Sequence, residues 1–155
     1  MKKSPLQYAL DLIAMRDRTV SEIRKKMLDK QISPDVVEST IQTLLDKKFL
    51  NDERFVHNYI NSQKRQGRFG RFRIVQKMKM LGLSKELIDN SKSEMDRDSE
   101  GERARELAEK WLIKNSTKDK HYERLGRFLA SRGFEIDVIK NILNEMLNNR
   151  KECNV

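Results

Sequence analysis

Between Lys64 and Lys79 the chain carries Lys64, Arg65, Arg68, Arg71, Arg73, Lys77 and Lys79, with no aspartate or glutamate among them. Seven positive charges in sixteen residues, without local compensation, form the strongest chemical signal in the sequence. Lysine and arginine neutralise phosphates and release condensed counterions, and arginine also pairs bidentately with carboxylates on a protein surface. Phe69 and Phe72 alternate with the arginines, a pattern suited to stacking on bases. The competing reading is a solvated basic face whose phenylalanines seal a junction between packed elements. We expect the basic residues to bind a partner and Phe72 to pack in the core. Arg24, Lys25 and Lys26 cluster on one expected helix, and Arg124, Arg127 and Arg132 on another. A basic stripe continuing along the chain and a merely solvated outer face account for them equally well.

The remaining reactive residue types do not assemble into a catalytic or metal site. Asp52 and Glu53 are adjacent, so on a helix they project in different directions, and complementing the positive end of a helix is the expected role rather than paired acid/base work. His57 and His121 lack a second histidine or a cysteine at ligand spacing, so neither metal nor other cofactor is expected. Trp111 lies four residues from Leu107 and is expected on the buried stripe of its helix. There is no phosphate-binding glycine loop and no nucleophile–base motif, which points away from an enzyme.

The composition favours a helical, polyanion-binding chain. Of 155 residues 37% are hydrophobic and 37% charged, with a mean hydropathy of −0.81, meagre for one large core. Two prolines and six glycines suit long helices. A net charge of +9 and a pI near 9.7 favour nucleic acid or an acidic protein surface. No apolar run is long enough to span a bilayer, and Met1-Lys2-Lys3-Ser4-Pro5 does not lead into a secretory signal, so a cytoplasmic protein is expected. Cys153 is the sole cysteine, expected as a reduced, exposed thiol.

The elements that must position these residues are set by an internal repeat. Ile32, Leu83 and Phe134 are 51 residues apart, and so are Ile23, Ile74 and Leu125; Met27, Met78 and Leu129; Val37, Ile88 and Ile139; and Leu44, Met95 and Met146. Such self-similarity marks a tandem array. Apolar periodicity gives three helices per unit. In the first unit the opening helix carries Leu6, Ala9, Leu10 and Ile13 and should stop near Arg18, because Thr19-Val20-Ser21-Glu22 reads as a capping box. The next buries Ile23, Met27 and Leu28. Ser33 and Pro34 open the third, with Val37, Ile41, Leu44 and Leu45 inward. Ser84 should cap the corresponding helix of unit two, and Ser99-Glu100-Gly101-Glu102 the first helix of unit three. Gly82 and Gly133 suit left-handed helix closures, and Gln31 falls in the matching slot of unit one. We therefore expect an all-α tandem array of three three-helix repeats, elongated and curved, with units at 1–50, 51–98 and 99–150 and a tail at 151–155.

These residues resemble a known family. Ala9-x-x-Leu12-Ile13-x-x-Arg16-x-Arg18-Thr19-x-x-Glu22-Ile23-x-x-Lys26-Met27 is similar to the first repeat of RecX proteins, regulators of the RecA recombinase. Phe49-Leu50-Asn51-Asp52-Glu53-Arg54-Phe55-x-x-x-Tyr59 resembles the family's aromatic-Leu-Asp/Asn-Asp-Glu-Arg-Phe signature, and Arg73-Ile74, Leu81-Gly82-Leu83 and Arg132-Gly133-Phe134 resemble later segments. The chain departs from the pattern at Arg71, where many members have proline, and at Lys48, where glycine often stands. The resemblance implies a non-enzymatic monomer that binds the RecA–DNA filament and restrains strand exchange and the accompanying ATP hydrolysis, with weak electrostatic binding to single- or double-stranded DNA. The alternative from a different class is a helix-turn-helix transcription regulator. Against it, the would-be recognition helix Pro34–Leu45 bears Asp35 and Glu38, which face phosphates poorly. A scaffold for acidic proteins is a third reading, and it predicts no effect of DNA.

Overall fold

A computed structural model describes residues 3–115 and 121–152, and Cys153 lies outside the described residues. It contains α1 (Pro5–Met15), α2 (Val20–Asp29), α3 (Pro34–Asp46), α4 (Asp52–Gln66), α5 (Arg71–Met80), α6 (Lys85–Ser91), α7 (Arg97–Asn115), α8 (His121–Ser131) and α9 (Ile136–Glu152), with a short 3-10 turn at Lys92–Glu94. The described residues include no strand. Two compact units divide the chain, one made of residues 1–59 and 78–90, the other of 60–77 and 91–155, so α4 and α5 contribute to both.

The 51-residue register is a register of burial. Ile23, Ile74 and Leu125 are buried, as are Met27, Met78 and Leu129, then Val37, Ile88 and Ile139. In the first unit these side chains gather Ala9, Ile41, Leu44 and Leu50 into one core; in the second, Leu125, Leu129 and Ile139 join Ala104, Ala108, Phe134, Val138 and Ile142. Burying such aliphatic groups contributes roughly 1.5–3 kcal/mol each, and this draws the helices together.

Helix ends follow local chemistry. Thr19 and Glu22 make the expected capping box on α2, and Ser84 accepts the Leu87 N–H at 3.2 Å on α6. Ser33 stands at the start of α3 with Pro34 at its first position, but its hydroxyl makes no cap bond. The first helix stops at Met15 rather than near Arg18, since the Arg18 guanidinium folds back to donate to the Leu12 carbonyl at 3.0 Å. The expected box at Ser99–Glu102 is not the start of α7. Asp96 accepts the Ser99 N–H at 2.6 Å, the helix begins at Arg97, and Glu100 turns inward to full burial. Leu28 and Leu45, expected inside, are 42% and 37% exposed.

Each middle helix closes in the same way. Gln31, Gly82 and Gly133 are all left-handed, with φ of 61°, 74° and 80°. The following amide reaches back five residues in each case: Ile32 to the Met27 carbonyl, Leu83 to Met78 and Phe134 to Leu129. Lys48, the residue in the family's glycine slot, is left-handed too at 59°.

The junction between successive repeats is also duplicated, once inside each compact unit. In the first unit the Thr19 hydroxyl donates to the Leu81 carbonyl at 2.7 Å, and the Val20 N–H donates to the Asp52 carboxylate at 2.9 Å. In the second, the Gly70 N–H donates to the Arg132 carbonyl at 2.9 Å, and the Arg71 N–H to the Glu100 carboxylate at 2.9 Å. Residues 70, 71 and 132 lie 51 positions after 19, 20 and 81, so the same seam is built twice. Gly70 is required there, because a Cβ would collide with the backbone of Gly133 and Phe134.

Candidate functional site

The seven cations of the basic segment separate into different settings. Lys64 and Arg65, in the last turn of α4, and Arg68, in the turn after it, line a groove of about 840 Å³ in the second unit. The opposite wall is α7, which contributes Arg103, Lys110 and Lys114 together with Glu102 and Glu106. Six cations thus face two carboxylates. Trp111 and Phe128 lie at the same groove, stacked on each other with centroids 5.9 Å apart. Trp111, expected in the core, packs against it together with Phe128 and, being half-buried, also reaches this surface.

Other basic residues are engaged with the protein. Arg73 donates to the Ser131 carbonyl at 3.1 Å and stacks over Phe69, 4.6 Å from the ring centre. Arg132 covers Phe69 at 5.7 Å and Phe128 at 5.1 Å. A continuous ladder of guanidinium and aromatic planes therefore runs Arg73, Phe69, Arg132, Phe128, Trp111. Cation–π contacts of this kind contribute about 0.5–1 kcal/mol at exposed sites. Arg71 lies 3.9 Å from Glu135. Phe72 does not join the core: it is 62% exposed on α5, because the adjoining seam is made by backbone, its own N–H donating to the Gly133 carbonyl at 3.1 Å.

Lys77 is exposed on the second unit's part of α5, and Lys79 is exposed in the first unit. Arg24 is held by Glu38 through two bonds of 2.6 and 3.0 Å, whereas Lys25 is exposed on the same helix. Arg127 is exposed, 3.6 Å from Glu123. Arg54 of the signature reaches back toward the carbonyls of Lys48 and Phe49, both at 3.4 Å, and Asn51 caps α4 by accepting the Arg54 N–H at 2.9 Å.

Two ionisable residues of α7, Glu100 and Arg103, are buried where sequence reasoning did not put them, and Arg103 lines the groove. Burial pushes the Glu100 carboxyl above its ordinary range, opposed by the Arg71 N–H. Burial lowers the Arg103 guanidinium, opposed by the charge of Glu100. Arg103 is 8% exposed and donates once, to the Ser99 hydroxyl at 2.6 Å; its Nε and Nη2 have no partner. Burial likewise raises Asp52, whose bond from Val20 works the other way. A helical signal for the α7 wall was present in the spacing of Arg103, Lys110 and Lys114, seven and then four residues apart. Among the described residues no group of three or more His, Cys, Asp or Glu is placed to hold a metal ion, and no helix is long and apolar enough to cross a membrane.

Sequence profiles of one family match the chain in order: RecX, first three-helix domain, over residues 6–44; second three-helix domain, over 51–91; and third three-helix domain, over 98–143. The regulatory protein RecX of Clostridioides difficile (strain 630) is 29% identical over 142 residues, covering 90% of this chain and 66% of that protein. That of Clostridium tetani (strain Massachusetts / E88) is 34% identical over 143 residues, covering 90% and 65%. The chain thus spans about two thirds of the length of these relatives. In fold it is similar to the crystal structure of RecX from Lactobacillus salivarius, with a TM-score of 0.80 at 21% identity over 91% of this chain and 93% of that one.

Proposed function

The chain belongs to the RecX family, and from that premise we propose that it regulates the RecA recombinase by binding the RecA–DNA filament and restraining ATP hydrolysis and strand exchange. It acts in the cytoplasm as a monomer, and any change in nucleotide hydrolysis is exerted on the recombinase. The observation that carries this reading is the match of all three family domains in sequence order. The groove of the second unit supports it with a basic surface suited to a polyanionic filament. We assign the principal filament contact to the groove cations Lys64, Arg65 and Arg68, with Lys77, exposed on the second unit's part of α5, as a further contact. Arg24, Arg71, Arg73 and Arg132 are assigned first to holding the fold, because each already has a protein partner.

The test is DNA-dependent ATP hydrolysis and strand exchange by RecA with increasing amounts of this protein. Both should fall, with the protein alone hydrolysing nothing. Unchanged hydrolysis and exchange at saturating protein, where filaments form, would refute the assignment.

A further inference from the structure

We infer that the groove between the end of α4 and α7 holds a single strand of nucleic acid, with phosphates along its two basic walls and a base against the Trp111–Phe128 pair. This deepens the preceding reading by naming the part of the filament engaged, and its test needs no recombinase, so the two can fail separately.

Three features of the second unit converge on this ligand. The first is charge: Lys64, Arg65 and Arg68 on one wall and Arg103, Lys110 and Lys114 on the other outweigh Glu102 and Glu106 by four. Lys110 and Lys114 stand one turn apart on α7, and among the described residues neither makes an ion pair. The second is Arg103. A guanidinium that is 8% exposed and bonded only to Ser99 is costly to bury, and the charges of Glu100 and Asp96 offset only part of that cost. An anion seated above it in the groove adds to that compensation, and the poorly screened charge strengthens the attraction.

The third feature is aromatic. Trp111 and Phe128 share the groove with the cations, and the ladder continues through Arg132 and Phe69 to Arg73. Aromatic and guanidinium planes beside a phosphate track are what an unpaired strand uses, because its bases are free to stack. A duplex keeps its base faces stacked inside and offers phosphates and groove edges, leaving the aromatic pair no face to stack on. An acidic peptide would satisfy the lysines but has no flat rings for Trp111 and Phe128.

Trp111 is the chain's sole tryptophan, so its emission reports on this groove alone. Titrating a short oligothymidylate should quench it saturably, and log affinity should fall with log salt with a slope of about −3 if four phosphates are engaged. The Lys110→Gln/Lys114→Gln variant should bind more weakly and flatten that slope by about 1.4. Followed by anisotropy of a labelled strand, Trp111→Leu should weaken binding roughly five- to 150-fold, the range for loss of one stacked base. Arg103→Met should weaken binding as well, provided its melting curve matches wild type; the exposed lysine variants carry the test if it does not. Lys140→Gln, on α9, is the charge control and should bind as wild type.

The inference is overturned if the strand binds without altering Trp111 emission, or if the lysine double variant keeps wild-type affinity and slope. A duplex of the same length that quenches Trp111 with equal affinity overturns it too. So does an oligoglutamate peptide that displaces the strand as effectively as unlabelled oligothymidylate.

Discussion

Replacing Gln31 by glycine should stabilise the first unit. Gln31 closes α2 at φ 61°, where an L side chain crowds the neighbouring carbonyl at a cost of about 1–2 kcal/mol. The side chain is exposed and makes no hydrogen bond among the described residues, so its removal forfeits no contact. Against this gain stands the greater freedom of glycine in the unfolded chain, worth about 0.4–1 kcal/mol. The net expectation is a gain of about 0.5–1 kcal/mol, or a rise in melting temperature of roughly 1–4 °C for a chain of this size. Urea unfolding followed by far-ultraviolet circular dichroism measures it, and hydrogen exchange at the buried Ile23 and Met27 amides localises it to the first unit. Gly133→Ala supplies the opposite sign at the matching position. Its φ is 80°, and the new Cβ would lie 2.6 Å from the Arg73 backbone nitrogen, so left-handed strain and overpacking both act against it. A Gln31→Gly protein with an unchanged or lower urea midpoint, alongside a destabilised Gly133→Ala, would refute the strain argument for this closure.

Glu100→Gln probes the buried carboxyl. Because burial raises its folded-state pKa above the ordinary 4.5, its charged form disfavours folding: the contribution of Glu100 to stability is fully present below about 4.5 and is lost as pH rises through the raised value. The stability gap between Glu100→Gln and wild type should therefore widen in favour of the variant as pH rises from 4.5 toward neutrality, and a gap independent of pH would count against the burial argument. Arg71→Pro restores the residue common in the family but removes the N–H that Glu100 accepts, leaving a buried acceptor short of a donor at a cost of about 1–3 kcal/mol. Arg71→Ala, which keeps that N–H, should lose distinctly less in the same urea titration; equal losses would sink the assignment. Changing Lys64, Arg65, Arg68 and Lys77 together to glutamine should leave the circular dichroism spectrum unaltered while weakening inhibition of RecA, and a folded variant inhibiting like wild type would move the filament contact elsewhere.

Much of the architecture was legible because the repeat copies backbone geometry. The capping box at Thr19–Glu22 and the left-handed slots at 31, 82 and 133 followed from local chemistry and the 51-residue offset. The errors came from judging side chains singly rather than by register. Phe72 aligns with Ser21 and Glu123, a slot that is polar in both other repeats, and it is exposed. Leu28 aligns with the exposed Lys79 and Ala130, and Leu45 with the exposed Asp96 and Leu147. The start of α7 was misplaced because Asp96 caps as well as Ser99 would, three residues earlier. Half of the groove was hidden for another reason. Lys64, Arg65 and Arg68 announce themselves as a charge run, whereas Arg103, Lys110 and Lys114 are dispersed among glutamates and share a face only once α7 is folded.

The twice-built seam bears on how such a chain can change over time. Both acceptors of its first bond are main-chain carbonyls, of Leu81 and of Arg132, and an oxygen of that kind is indifferent to the side chain its residue carries. The donors differ as well: a threonine hydroxyl in one copy, a glycine amide in the other. The Thr19 hydroxyl and the carboxylate of the second bond are the parts written in side-chain chemistry, and at the carboxylate aspartate and glutamate alternate from slightly different starting positions. Substitution at the carbonyl-bearing positions, Leu81 and Arg132, is therefore inexpensive for the seam, although Gly70 on its other side is fixed by backbone contact. Arg132 shows the result, since its carbonyl holds the seam while its guanidinium is released to lie between Phe69 and Phe128. A lineage can thus redraw the outward-facing half of a joint residue, and with it what that surface recognises, without loosening the joint.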